Sequence, residues 1–331
     1  MQAAVITEGG RLEVERIDDP TPGPGELLVR VSRCGICGSD LKSRPAMPHG
    51  TVMGHEFAGE VVAVGPGTAG SWREGQHAAV LPVFSCGTCE WCRAGEVAHC
   101  TSARLVGLGG GHGGFAEYAA ASADLAVPLP DDIAESHGAL VEPFAVGLHT
   151  ARVAGIGPGD HVLVLGGGPV GLTTAQWARE AGAARVVVAD PVATRREMAE
   201  QMGVSAVLDP TADELGQDHD VVVECVGKPG LLDTCVGAVA TKGRIVVAGV
   251  CVEPDPYLPV VALLKEVSIG FSVYYRPDEF REVVDAFATG RIDPTPLVTD
   301  TIALSDVDQA FDRLQHDPTD VKVLVDPGRL A

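Results

Sequence analysis

The sequence predicts an α/β chain in which a doubly wound parallel sheet is inserted between two β-rich segments. Three observations carry the prediction. Between His161 and Asp190 an apolar run, a glycine turn, a helical stretch and a second apolar run ending in an acid follow one another. Further apolar runs separated by helical stretches continue this alternation to about Thr289, the pattern of a parallel sheet with crossover helices. Outside it, 1–33 reads as short strands and turns, and Val298 to Asp326 as short strands with one helix.

The composition bounds the function. At 331 residues the length suggests two domains, and 46% hydrophobic content is ordinary for a chain with a sizeable core. No apolar run is long enough to span a bilayer, and no basic segment followed by an apolar one opens the chain, so a cytoplasmic protein is expected. A formal charge of -21 leaves no phosphate-neutralising face and argues against a nucleic-acid partner. Of nine cysteines, six fall in two short segments with metal-like spacing, whereas Cys225, Cys235 and Cys251 lie in or near apolar runs as buried thiols. Metal binding is therefore favoured over disulfides.

Taken in order, Ala3 to Ile6 and Leu27 to Val31 read as strands joined across the turn-rich Pro20 to Gly25. Cys34-Gly-Ile-Cys37-Gly-Ser39-Asp40 follows, then a proline-rich loop and Gly54-His55-Glu56-Phe57-Ala58-Gly59. Cys37, His55 and Glu56 offer a thiolate, an imidazole and a carboxylate, a set that suits zinc with one position left open. Each residue alone is as readily structural, and Cys34 with Cys37 also admits a redox pair, although no thioredoxin-like strand and helix surround it.

Cys86, Cys89, Cys92 and Cys100 give C-x2-C-x2-C-x7-C. Four thiolates from one compact loop close a tetrahedral shell around zinc and leave no position for chemistry. The spacing departs from that of ferredoxin-type clusters. Such an ion would staple a lobe with little apolar core of its own, in which Trp91 packs. Gly107 to Gly114 reads as a flexible turn before the strand-like Phe115 to Ala119, and a helix is expected from Val141 to about Ala154, with Glu142 in its first turn.

The run Gly166-Gly167-Gly168-Pro169-Val170-Gly171 has the context a dinucleotide requires. Gly166 permits the tight turn, Gly168 admits a pyrophosphate to the backbone, and Gly171 lets the helix pack on its strand. The helix N-terminus faces the phosphate charge. Asp190, nineteen residues after Gly171, is set to accept the ribose hydroxyls. It favours NAD over NADP, because a 2′-phosphate would meet its charge. Arg195 and Arg196 either flank the adenosine or are basic residues of an exposed helix. Strands at 204–208, 221–226 and 243–249 continue the sheet, and Gly227 and Gly249 stand at two strand ends, where such sheets bind ligands. A helix from about Pro277 to Thr289 closes the unit, and Pro294 and Pro296 mark the crossing back to the first domain.

With GICGSD, GHEFAG, the four-cysteine lobe, VEPFAVGLH and GGGPVG in this order, the chain resembles the zinc-dependent medium-chain dehydrogenase/reductase family, above all its polyol, threonine and butanediol dehydrogenase branch. The resemblance covers nearly the whole chain. It implies a GroES-like catalytic domain over 1–147, an inserted Rossmann domain over 148–292, and a C-terminal return over 293–331. It also implies catalytic zinc at Cys37 and His55, with Glu56 either a ligand or just behind the ligands, and Glu142 where other members place a second cysteine. Asp40 would orient His55, and Ser39 would touch the substrate oxygen and start a proton relay. Cys86, Cys89, Cys92 and Cys100 match a structural zinc set, giving two zinc ions per subunit. Arg195, Pro169 and Val170 fall with the cofactor-binding residues, and Leu81, Pro82 and Phe115 match pocket-lining positions. Many members carry a histidine where this chain has Lys42, which leaves the later part of the relay open.

The activity implied is hydride transfer between a secondary alcohol and NAD, with zinc lowering the pKa of the substrate hydroxyl and Ser39 passing its proton outward. An alcohol or its ketone is the expected partner, with no nucleic acid and no membrane, in a homodimer or homotetramer. Two other readings stand beside it: a lyase or epimerase that uses bound NAD transiently, and a non-catalytic zinc- and nucleotide-binding redox sensor.

Overall fold

The computed structural model describes residues 1–329 apart from 69, 71, 132 and 318. The chain forms two compact units, Met1–Glu142 with Arg276–Ala331, and Pro143–Tyr275.

The first unit is built on a seven-stranded sheet ordered Val298–Ala303, Lys322–Asp326, Glu26–Gly35, Glu56–Val64, His77–Ala79, Val127–Pro128, with Tyr118–Ser122 also paired to Glu26–Gly35. Glu26–Gly35 is its central element. Leu27, Val29 and Val31 point inward on the two-residue period of a strand, and join Phe57, Val61, Phe115 and Phe311 in one core. The returning tail reaches this strand directly: Leu324 pairs with Gly35 and Val325 with Cys34, antiparallel. Gly35 in turn pairs with Glu56 on the other side. One strand thus joins residues from the start, the middle and the end of the sequence.

The second unit holds six strands that are parallel throughout, ordered Ala206–Leu208, Arg185–Ala189, His161–Leu165, His219–Glu224, Val239–Val247, Ser268–Phe271. Numbered in chain order within the sheet this is 3-2-1-4-5-6, the order of the dinucleotide-binding folds, whose direction reverses between the first and fourth strands. Val162 to Leu165, Val186 to Ala189 and Val221 to Val223 are all buried, because helices cover both faces of a parallel sheet and apolar side chains are needed on each.

Two boundaries and the packing of one turn differ from the sequence expectation. The helix expected from Val141 runs over Glu135–Val153, so Pro143 lies inside it and Glu142 sits in its middle rather than its first turn. The helix Pro277–Ala288, expected to close the nucleotide-binding domain over 148–292, falls by its contacts in the first compact unit. Its apolar face, Phe280, Val283, Val284 and Phe287, follows the i, i+3, i+4, i+7 rule, and Phe287 packs edge-on against His137. Arg276, its N-cap, pairs with Glu96 at 2.5 Å. These contacts carry the helix to the four-cysteine side of the chain. Finally, the segment read as a flexible turn is closely packed: a Cβ on Gly107 or Gly113 would overlap the carbonyl oxygen of Gly54, and Gly114 N donates to that oxygen at 2.7 Å. The glycines are there to bring this backbone against the residue preceding His55.

Candidate active site and nucleotide site

Cys37 is the N-cap of the short helix Gly38–Ser43, which carries Ser39 and Asp40. Asp40 reaches back so that its Oδ2 accepts from Cys37 N at 2.9 Å, a capping-box arrangement that satisfies one of the free helix-end amides. Its Oδ1 accepts from His55 Nδ1 at 3.1 Å. One fully buried carboxylate therefore fixes the backbone of Cys37 and the ring of His55 together. With Nδ1 committed to Asp40, it is His55 Nε2 that faces Ser39 Oγ, 3.5 Å away, and that is left for a metal.

The donor atoms of Cys37, His55 and Glu56 all lie within 4.8 Å of one another. Burial opposes charge on His55, yet the Asp40 carboxylate and Cys37 thiol raise its pKa well above the ordinary value. A pocket whose field holds a proton so firmly is one a divalent cation would also favour, and the soft and hard donors together suit zinc. The residues fit the ion.

Glu142 is buried as well, but it is not one of these three closely grouped donors. Cys34 does not join them either. It is fully buried in the core, and a Cβ on Gly54 or Gly114 would press on its sulfur at 2.7 or 2.8 Å. Burial and the charge of Asp40 push the Cys34 thiol up, which suits a packed core group and not a reactive member of a redox pair.

Sequence reasoning missed Lys322. This lysine of the returning strand is completely buried, and its ammonium donates to Glu56 Oε1 at 2.7 Å, Glu56 Oε2 at 2.6 Å and the Ile36 carbonyl at 3.0 Å. Burial alone would lower its pKa; Glu56 and Cys37 more than offset this, and the group stays charged. A lone cation in the apolar run Val321 to Val325 was the available signal, since such a residue is buried only with a partner.

In the four-cysteine lobe the sulfur atoms again lie within 4.8 Å of one another, with Cys89 and Cys92 at 3.5 Å and Cys86 and Cys92 at 3.9 Å. These separations are far too long for disulfides, and all nine cysteines are free. They match the edges of a tetrahedron with metal–sulfur bonds of ~2.3 Å. Backbone amides point at the sulfurs: Thr88 N and Cys89 N toward Cys86, Cys92 N toward Cys89, Cys86 N and Ser102 N toward Cys100. The Thr88 and Cys89 donors hold the Cys86 thiol down at about 5, whereas desolvation and Cys89 push Cys92 up to about 11. The set fits a structural zinc ion.

In the second unit the turn after His161–Leu165 is built from its glycines. Gly166 adopts φ +102, a left-handed conformation that favours glycine, and a Cβ on Gly171 would overlap the Gly166 carbonyl oxygen. Gly168 caps the helix Pro169–Glu180 and would meet nothing within 4 Å, so space for a ligand opens on that side of the helix N-terminus. Val170 lies in the first turn of that helix.

Asp190 is buried at the end of the second strand. Its Oδ2 accepts from Gly167 N and its Oδ1 from Val192 N, each at 2.8 Å, so the acid ties its own strand end to the glycine turn. Arg195 stands 3.6 Å from Oδ2, while Arg196 donates to the Asp190 carbonyl and pairs with Asp209 at 3.3 Å. Gly227 and Gly249 have packing reasons of their own: a Cβ on Gly249 would overlap Gly227 N, and one on Gly227 would lie 2.5 Å from the Val250 carbonyl carbon. Glu224 Oε1 accepts from Val226 N and Gly227 N at 2.6 and 2.8 Å and holds this corner.

Comparison with known proteins gives two family matches: residues 23–131 match the alcohol dehydrogenase GroES-like domain, and 169–289 match the zinc-binding dehydrogenase domain. The (R,R)-butanediol dehydrogenase of Bacillus subtilis is 31% identical over 99% of this chain and 100% of its own. Among solved structures, a zinc-binding dehydrogenase of Sinorhizobium meliloti bound to NADP superposes with a TM-score of 0.89 at 33% identity, covering 98% of this chain and 99% of the other. The alcohol dehydrogenase RspB of Escherichia coli, complexed with NADH, gives 0.91 at 32% identity with the same coverage.

Proposed function

Because the chain belongs to the zinc-binding medium-chain alcohol dehydrogenase family, we propose that it transfers a hydride between a secondary alcohol and NAD. The alcohol class is a diol, polyol or amino alcohol. The observation that carries this reading is the cluster of half-buried Cys37 with buried His55 and Glu56, held by Asp40, in a chain that also contains a dinucleotide turn. A zinc ion at these residues supplies Lewis acidity to the substrate hydroxyl when bound.

The protein's own groups do the rest. Asp40 keeps the Nε2 lone pair of His55 available and fixes the start of the helix on which Ser39 rides. Ser39 takes the hydroxyl proton and hands it outward, with Lys42 three residues on in place of a relay histidine. The N-terminus of Pro169–Glu180 would hold the pyrophosphate of NAD and Asp190 its ribose hydroxyls, and the bound coenzyme would supply the hydride acceptor. The carboxylate of Asp190 supports NAD over NADP, because a 2′-phosphate would meet its charge.

The four-cysteine lobe holds a second, structural zinc, giving two per subunit. The working protein is a cytoplasmic homodimer or homotetramer. Nine free thiols support the reducing compartment, and no helix among the described residues is long and apolar enough to cross a membrane. The edge strand Ser268–Phe271 and the nearby helix Pro259–Lys265 support self-association: Phe271 is 73% exposed and Leu264 76%.

The test is reduction of NAD and of NADP, followed at 340 nm, with zinc-loaded protein and a panel of diols, polyols, threonine and cyclic secondary alcohols. Turnover of at least one alcohol with NAD preferred is expected. No reduction of either coenzyme by any of them would overturn the reading.

A further inference from the structure

The helix Gly38–Ser43, which carries Ser39, Asp40 and Lys42, has six residues, too few to hold itself together in water. Its first turn is closed by the Asp40 carboxylate, which accepts from Cys37 N at 2.9 Å. Its last turn is held from the far end of the chain. Arg44, the C-cap, donates its backbone N–H to the Asp40 carbonyl, and its side chain reaches the helix Val307–His316. There the guanidinium stands 3.4 Å from Asp308 and 3.2 Å from Asp312, and lies 5.5 Å over the ring of Phe311. Gln315 Nε2 donates to the Leu41 carbonyl at 3.4 Å. Positions 308, 311, 312 and 315 follow the i, i+3, i+4, i+7 spacing, so one face of the later helix grips the end of the earlier one.

The grip overrides a local preference. A residue before proline favours extended backbone, because the proline ring crowds its helical conformation. Arg44 precedes Pro45 and is nevertheless helical, at φ -42 and ψ -47. Without the grip Arg44 would turn extended, its N–H would leave the Asp40 carbonyl, and the turn that contains Leu41 and Lys42 would lose its closing backbone hydrogen bond. Asp308 does not depend on Arg44 for a partner. It also accepts from Arg11 at 2.7 Å and from Leu12 N at 2.9 Å, so losing the guanidinium leaves no buried carboxylate unpaired.

We propose that Arg44, clasped by Val307–His316, is a positioning residue of the proton relay: it keeps the last turn of Gly38–Ser43 closed and so holds Ser39 and Lys42 in register. Arg44 touches no reacting atom. The metal donors lie beyond its influence, because the Asp40 side chain ties Cys37 N and the His55 ring at the other end of the helix. The inference rests on the proposed dehydrogenase activity, with Ser39 as the first relay group.

The test compares Arg44→Met, Pro45→Ala and the double variant, all zinc-loaded. Arg44→Met is expected to speed amide exchange over residues 38–44 by ~10-fold, a readout that needs no turnover. With an alcohol and NAD, kcat should fall ~10–100-fold while KM and zinc content stay near wild type. Added imidazole, a small proton carrier, should restore part of the lost rate. Pro45→Ala removes the crowding, so in that background Arg44→Met should have only a mild effect on exchange and on kcat. Asp312→Ala combined with Gln315→Ala loosens the clasp without touching Arg44 and should act in the same direction, which covers an Arg44→Met that folds poorly.

Unchanged exchange or unchanged kcat in a folded Arg44→Met would overturn the inference. So would a loss of zinc in step with activity, or a defect undiminished by Pro45→Ala. If Ser39→Ala turned over as fast as wild type, or wild type oxidised no alcohol, the relay reading beneath the inference would fail with it. A slow Ser39→Ala beside an unaffected Arg44→Met would sink only the clasp.

Discussion

Asp40 accepts from His55 Nδ1 at 3.1 Å while wholly buried, and this single hydrogen bond decides which nitrogen of the ring is left for a metal. Replacing the carboxylate by a carboxamide keeps the shape but removes the charge that stabilises the Nδ1–H tautomer and raises the basicity of Nε2.

Asp40→Asn is therefore expected to weaken zinc at Cys37 and His55 by ~10–100-fold while leaving the four-cysteine ion in place. Chelator competition followed by elemental analysis reads both sites in one experiment. Equal loss from the two sites would show that the variant acts on folding and not on the ligand.

Gly171→Ala inserts a methyl group where the Gly166 carbonyl oxygen already sits. The helix Pro169–Glu180 must then move off its turn, at a cost of ~1–3 kcal/mol for overpacking. Denaturant unfolding should register the loss, and NAD titration should show weaker binding. Gly168→Ala, with nothing within 4 Å of its Cβ, makes the contrast: stability holds and only coenzyme binding suffers.

Asp190→Ala removes a carboxylate that the ribose would use and that also caps Gly167 N and Val192 N. Hydrogen bonds to a charged group contribute ~1.5–3 kcal/mol, so NAD affinity should fall at least tenfold, with the preference moving toward NADP as Arg195 loses its acidic neighbour. A ratio of NAD to NADP efficiency equal to that of the wild type would count against Asp190 as the ribose acid.

Zinc analysis of pure protein should return two ions per chain, and one or none would contradict the two-site reading. Stripping the metal should then expose an ordered reactivity in the lobe. The sign follows from the direction of the two shifts. Cys86, held down at about 5, stays a thiolate at any pH above that value, whereas Cys92, pushed up to about 11, remains a thiol through neutrality. At pH 7 iodoacetamide should label Cys86 before Cys92, as peptide mapping would show, and the difference should close only near pH 11.

Motifs whose parts are neighbours in sequence were legible before any fold was known. The four cysteines of the lobe lie within fifteen residues, so their spacing encodes the loop that groups them. The glycine turn, its helix and Asp190 lie within one βαβ unit, and His161–Leu165 appears with the bounds its apolar run suggested. Chain connectivity brings such residues together whatever the rest of the molecule does.

Other features were settled only when distant strands paired. Lys322 and Glu56 are 266 residues apart, and nothing local to either names the other. Gly35 reads as one glycine of GICGSD until its register with Glu56 gives the missing Cβ a meaning. The glycines from Gly107 to Gly114 looked like slack until Gly54 came against them. Even Glu142 left its expected first turn, because the helix Glu135–Val153, with Ala139, Leu140 and Val141 buried, starts six residues before the Val141 expected to begin it. The sequence by itself determined the four-cysteine group, the pairing of Cys37 with His55 and Glu56 as candidate donors, and the glycine turn, since short-range spacing is a covalent constraint. Tertiary structure alone decided what holds Glu56, because burying a charge requires a partner and only the folded sheet could bring one from the far end of the chain.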